Sequence, residues 1–330
     1  MFRPPIQQTI NLTHNKKRMK KYIIFLYFFL TSLVLMAQKA GSLKNQNKSS
    51  SADSLLNSMG TDNKEQTVAI FKSSRLILSQ TTETVKKKNL NFVIIHRFGD
   101  FAGKQGGGKL YFGLDDVADV YIGFEYGLTN NLNIDIGRTT IGGLADVELK
   151  YALLQQTTNG SSPIAITLLG EAGVRPYGFI TYPSFGDRVS YMSQVMIAHQ
   201  FAPGYALQIT PTYIANGSGI PLVAGSEQNY ISLLVAARIR LTKHMGLIVD
   251  YAHPFSSFRN TGNGFYDPLG VGIEIETGGH VFTINVTNSR AVDEINYLND
   301  TRSNYSKGQF RIGFTISRIF DFNRRKRGEH

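Results

Sequence analysis

Several groupings of residues in this chain have types and spacings that could carry chemistry. Gly103-Lys104-Gln105-Gly106-Gly107-Gly108-Lys109-Leu110 comes within one residue of a phosphate-cradling loop, in which backbone N–H groups wrap the phosphates and a Ser or Thr after the Lys holds magnesium. Leu110 stands where that hydroxyl is needed and no helical pattern follows, so the stretch reads as a flexible Gly-rich loop. Asp115, Asp116 and Asp119 offer hard oxygen ligands for calcium but lack the order of an EF-hand; they read as a solvated acidic loop. The histidines are His14, His96, His199, His244, His253, His280 and His330. None forms an i, i+4 pair on a helix or shows zinc spacing, and no Ser stands where a His and an orienting acid would activate it. Cys is absent, which removes disulfide, zinc-thiolate and thiol-nucleophile chemistry. The expectation is a protein that is not an enzyme, with no catalytic residue, metal or cofactor.

The remaining candidates are charges at alternate positions of apolar segments. Glu125, Asp135, Glu148, Lys150, Glu171, Arg175, Arg238, Arg240, Asp250, Glu274, Glu276 and Arg311 each fall on the polar face of such a segment. If those faces enclose a lumen, these residues line it. Their signs are mixed. A ring of one sign would argue for ion selectivity; mixed signs fit either a salt-bridged, filled interior or the transverse field of a general diffusion pore.

The elements that must position these charges repeat with a period of 2. In Gly308–Phe320, Phe310, Ile312, Phe314 and Ile316 share one face, while Arg311, Gly313, Thr315 and Ser317 share the other. Twelve segments of this kind occupy approximately 90–97, 118–128, 132–140, 145–155, 164–177, 188–202, 205–216, 228–242, 246–255, 268–278, 280–289 and 308–320. Their connections alternate between short, as at Ala202-Pro203-Gly204 and Gly278-Gly279, and mostly longer, as at 98–117 and 290–307. That alternation predicts an all-β, antiparallel up-and-down transmembrane β-barrel of about 12 strands, with short turns at one rim and long loops at the other. At 42% hydrophobic residues the composition suits a barrel, in which lipid-facing and lumen-facing residues alternate, better than a bundle of membrane helices.

Outside the barrel, at 90–320, the chain divides into three parts. Residues 1–37 read as an N-terminal extension and signal peptide, with Lys20-Lys21, an apolar stretch from Tyr22 to Met36 and a cut near Ala37; Met1 and Met19 both fit as the start. Residues 38–89 begin as a polar linker and turn apolar at 67–80, read as a short strand or helix on the periplasmic rim, with a plug entering the lumen as the sharper alternative. Residues 321–330 form a basic tail. The net charge of +11 is concentrated at the ends of the chain, which argues against nucleic acid as a partner.

Phe71-Lys72-Ser73-Ser74-Arg75-Leu76, His96-Arg97-Phe98-Gly99, Phe112-Gly113-Leu114-Asp115 and Glu125-Tyr126-Gly127-Leu128 resemble a family of outer-membrane β-barrel proteins of Bacteroidetes-type bacteria, domain of unknown function 5777. The resemblance runs from about Ala69 to Phe320. It implies a barrel and no catalysis. Taken together, these readings predict a barrel in the cell outer membrane, in contact with its lipid and serving as a passive pore or transport barrel for small polar solutes. The alternative is a non-conducting barrel that acts as a structural or partner-docking protein.

Overall fold

The computed structural model describes residues 66–102, 106–177, 181–220 and 222–322. The signal peptide and most of the linker and tail expected from the sequence lie outside the described residues, as do 103–105 of the Gly-rich stretch. The strands are β1 (Asn89–Asp100), β2 (Val117–Gly127), β3 (Leu132–Thr139), β4 (Ala145–Leu154), β5 (Ala165–Val174), β6 (Val189–Ala202), β7 (Tyr205–Asn216), β8 (Asn229–Arg240), β9 (Met245–Phe255), β10 (Leu269–Thr277), β11 (His280–Thr287) and β12 (Arg311–Asp321). Each pairs antiparallel with its sequence neighbours, and β12 closes onto β1 to leave no edge. The seam sets Val93 opposite Ser317 and Arg97 opposite Gly313.

Alternation decides which way each side chain points. On β2, Tyr121, Gly123 and Glu125 are buried inside while Ile122 and Phe124 are exposed outside; on β4, Val147, Leu149 and Tyr151 are exposed while Asp146, Glu148 and Lys150 are buried. The outer surface is thus an apolar band and the inner surface is not, the inversion that lipid imposes on a barrel. Connections at one rim (the turn end) are short, and Gly278 and Gly279, at φ +36° and +98°, make the two-residue hairpin between β10 and β11. The opposite rim (the loop end) carries the longer connections.

Two segments fill the barrel. Residues 67–85 enter from the turn end, where Thr67 bridges to Thr157, and return there before β1 begins. Apart from isolated bridges this plug has no regular secondary structure, and it lies inside the wall, not on the rim. From the loop end, the β11–β12 connection folds inward and carries the short helix α1 (Glu294–Asn299), every residue of which is buried. The two meet where the Tyr297 hydroxyl donates to Leu78 O at 2.8 Å. Ile70, Phe71 and Leu76 to Leu78 of the plug and Ile295, Tyr297 and Leu298 of α1 join one buried cluster with Met192, Met196, Leu234 and Ile248 of the wall.

Candidate functional site

The inner wall is divided by chemistry. On the β6–β9 side apolar residues such as Met192, Met196, Leu234 and Ile248 alternate in space with Gln194, Gln208, Thr210 and Asp250. On the β2–β5 side, adjacent strands place acids at one level. Glu125 stands opposite Asp135, Asp135 opposite Glu148, and Glu148 opposite Glu171. All four are at most 4% exposed. Directly opposed residues have Cβ atoms about 5 Å apart, where like charges repel, so this row needs counter-charge or protons.

The plug brings the counter-charge. Arg75 Nε lies 3.3 Å from Glu125 Oε1, its Nη2 2.5 Å from Glu148 Oε1 and its Nη1 3.9 Å from Glu294 Oε2. The guanidinium also donates to the Tyr121 hydroxyl at 3.0 Å and sits over that ring. Around it, Ser74 Oγ and Asn91 Nδ2 donate to Glu125 Oε2 at 2.5 and 2.8 Å, and Gln80 Nε2 donates to Glu148 Oε2 at 2.7 Å. Lys150 Nζ donates to Gln80 Oε1 at 2.8 Å. One cation thus spans two buried carboxylates that face each other across a third, Asp135.

Irregular backbone at membrane depth is tolerated only where protein satisfies its polar groups, and here the wall's side chains do so. Asp250 Oδ2 accepts from Ile77 N and Leu78 N at 2.8 and 3.1 Å. Gln208 accepts from Thr82 N at 3.1 Å and donates to Gln80 O at 2.7 Å. Arg97 donates to Ile77 O at 2.8 Å and to Ala291 O, which ties plug and inner loop to β1. Asp119 fixes the loop end: it accepts from Thr139 Oγ1 at 2.6 Å, Ile141 N at 3.0 Å and Val292 N at 2.8 Å. It is fully buried, whereas Asp115 and Asp116 are exposed, so the three aspartates do not form one acidic site.

Of the residues expected to line a lumen, Glu125, Asp135, Glu148, Lys150, Glu171, Asp250 and Glu274 are buried inside the barrel, with Arg175 just past the end of β5 and Arg238 on β8. Arg238 pairs with Glu274 at 2.7 Å. Three lie nearer the rims. Arg240 is exposed at the end of β8, because the strand has by then run past the interior; Glu276, half-exposed, meets Lys72 of the plug at 3.0 Å; Arg311 is half-buried at the loop end, where it donates to Ser303 Oγ at 2.6 Å. The mixture of signs expected along the chain persists in space: the acid row along β2–β5 includes Lys150, and Arg238 across the barrel pairs with Glu274. Sequence reasoning missed Arg75, Ser74, Gln80, Asn91 and Arg97. The inward position of Asn91 and Arg97 follows from the alternation in β1, but 67–85 has no period to read.

Four histidines face outward near the rims, each contacting a Phe two residues on. His96 and His253 stand toward the loop end with Phe98 and Phe255, His199 and His280 at the turn end with Phe201 and Phe282. His253 Nδ1 also lies 3.0 Å from Asp267 Oδ2. Such side chains, apolar in body and polar at the tip, suit a membrane–water boundary.

In the outer loops, Glu227 joins two connections. It accepts from Ser256 Oγ at 2.5 Å, Ser257 Oγ at 2.6 Å and Ser257 N at 2.8 Å, with Arg259 at 3.3 Å. Partial burial would raise its pKa, but the hydrogen bonds from Ser256 and Ser257 prevail and hold it down at about 2.

A family model described as Membrane bound beta barrel domain (DUF5777) matches residues 71–320. No curated protein matches the sequence. Similar solved structures include the NanC porin, at 10% identity over 70% of this chain and 98% of that one, with a TM-score of 0.41. An outer-membrane channel from Pseudomonas putida F1 aligns at 11% identity over 72% and 98% of the two chains with a TM-score of 0.44. Outer membrane phospholipase A from Escherichia coli aligns at 10% identity over 69% and 92% with a TM-score of 0.39.

Proposed function

The chain belongs to the membrane-bound beta barrel family DUF5777, and from that premise we propose that it is an outer-membrane barrel whose passage for small polar solutes is closed by its own N-terminal plug. The signal peptide read at 1–37 exports it, and the family membership and the apolar outer band support its seat in lipid. One observation carries the closed state: Arg75 holds Glu125 and Glu148 in the middle of the barrel, at 5% exposure. A general diffusion pore needs hydrated charges facing one another across water, and these charges are spent on the plug. Conduction requires the plug to leave and the inner loop carrying α1 to make way at the loop end. The reading involves no enzymatic step; its chemistry is ion pairing and hydrogen bonding.

A second reading is a permanently closed barrel that docks a partner at its loop end. Phe101, Tyr111, Phe112, Leu114 and Val117, all exposed around the first long connection, favour it. Single-channel recording in planar bilayers separates the two. The full chain is expected to be silent or to open rarely, while a version starting at Leu90 conducts in stable steps. If the shortened version keeps its folded-barrel gel mobility yet never conducts, the gated-pore reading falls and the docking reading takes its place.

A further inference from the structure

Glu171 is the last member of the acid row, and the inner loop brings two more carboxyls to it. One oxygen from each of Glu171, Asp293 and Glu294 lies within 4.8 Å of the others, and all three side chains are at most 4% exposed. Both carboxylate oxygens of Glu171 and Oδ2 of Asp293 have no hydrogen-bond partner. Burying an ionised carboxylate without a partner is costly, and three this close cannot all ionise without a counter-ion. Asp146 and Glu148, on the adjacent strand, add to the negative field at Glu171.

The nearby cations leave Glu171 and Asp293 without a hydrogen-bonded counter-charge. Arg75 serves Glu125 and Glu148 and reaches Glu294 only at 3.9 Å, Lys150 serves Gln80, Arg97 serves two carbonyls, and Arg175 Nη2 donates to Asn296 Oδ1 at 2.9 Å while its Nη1 makes no hydrogen bond. Among the described residues none of these cations donates a hydrogen bond to Glu171 or Asp293.

From this geometry we infer a divalent-cation site, in which Glu171 on β5 and Asp293 and Glu294 at the start of α1 hold one calcium ion between the wall and the inner loop. The donors are oxygens only, which selects a hard cation, and they come from two separate segments, which suits the flexible coordination of calcium better than the strict octahedron of magnesium. The ion would pin α1 to β5 as Arg75 pins the plug to β2 and β4, a role independent of whether the barrel conducts. Asp293 and Glu294 lie outside the strands. Ligating carboxylates must be deprotonated, so calcium should bind more weakly in acid.

The test uses the full protein in detergent micelles, stripped with chelator and titrated with calcium chloride, then with magnesium chloride. Direct metal analysis after desalting is expected to give one calcium per chain. Calcium should raise the thermal unfolding temperature, and magnesium should do so less. Glu171→Gln and Asp293→Asn should each lower calcium affinity by more than about tenfold, the loss that removal of even an outer partner of a metal ligand produces. In chelator the same variants should unfold at or above the temperature of the unaltered protein, because each removes a repelling charge; that reading separates a lost ligand from a damaged fold. Glu227→Gln, in the outer loops, should keep the full calcium response. Unfolding temperatures that ignore calcium, with no metal retained after desalting, would overturn the site and leave the three carboxyls holding protons.

Discussion

Removing the Arg75 guanidinium would leave Glu125 and Glu148 facing Asp135 with only neutral donors. Truncating one partner of a buried ion pair leaves an uncompensated charge and typically costs about 3–5 kcal/mol. Arg75→Met should therefore lower the unfolding free energy by about that much in urea titrations of protein refolded into vesicles, and should also raise the frequency of channel openings. Adding Glu125→Gln and Glu148→Gln should recover most of the stability without restoring closure, because the charges are then gone but the latch is too. Glu227 supplies a prediction in pH. Its carboxyl is held at about 2 in the folded protein, against about 4.3 when unfolded, so its contribution is full above the unfolded value and fades as pH falls toward the folded one. The gap in unfolding temperature between the unaltered protein and Glu227→Gln should be constant near neutrality and close between about pH 4 and about pH 2. A gap that stays open through that window would mean Glu227 acts through packing alone.

At the scale of elements, the strands could be read from the sequence because a strand's two faces meet different media, and in a membrane barrel that difference repeats at every second residue. The predicted segments and the observed strands differ by a few residues at most, as at 90–97 against Asn89–Asp100. The alternation is weaker where both faces are apolar. Met192, Met196, Leu234 and Ile248 point inward, and the plug and α1, which join them in one buried cluster, explain their type. The plug's apolar run at 67–80 marks it as a packed segment, with a plug as one alternative, but no period fixes its place. The backbone hydrogen bonds that seat it on the wall include those to Asp250 and Gln208, far along the chain, so its own residues do not announce where the segment goes. The acid row was hidden for a related reason: each acid was visible on its own strand, but their common level depends on register. A close contact tests the plug's seat. A Cβ placed on Gly270 would sit 2.6 Å from Ile77 Cγ2, and a β-branched side chain has little freedom to give way. Gly270→Ala should loosen the plug and raise channel activity, and Ile77→Ala in the same chain should reverse it; failure of the second substitution to do so would place the damage in β10 instead. Tyr297→Phe, which strips the hydroxyl from Leu78 O, should cost about 1–2 kcal/mol in the same urea titrations.

For the whole molecule, closure of the barrel does not depend on what fills it, since the β1–β12 seam is made by strand register alone. A chain starting at Leu90 should keep folded-barrel gel mobility but unfold at a lower temperature. Its acid row would then face water without Arg75, so salt should stabilise it more than it stabilises the full protein, because screening acts on hydrated charges and little on buried pairs. Equal salt dependence of the two would show that the row is already neutralised in the full chain by something other than the plug.

Both ends of the plug leave by the same mouth. Thr67 is bridged to Thr157 beside the turn end, and Asn89 begins β1 there. A pull on the chain ahead of Thr67 therefore peels the segment out from its first residue, like a cord drawn from a sleeve, and breaks no hydrogen bond between strands. Resistance along that path is unequal: the bridge at Thr67 and the bond from Val68 N to Gln156 O yield first, then the apolar contacts of Ile70 and Phe71, then the ion pairs of Arg75, and after them the bonds of Ile77, Leu78 and Thr82 to Asp250 and Gln208. Under tension the molecule has a weak release at its mouth and a strong one at its centre, while the hydrogen bonds between the strands of the wall need not break.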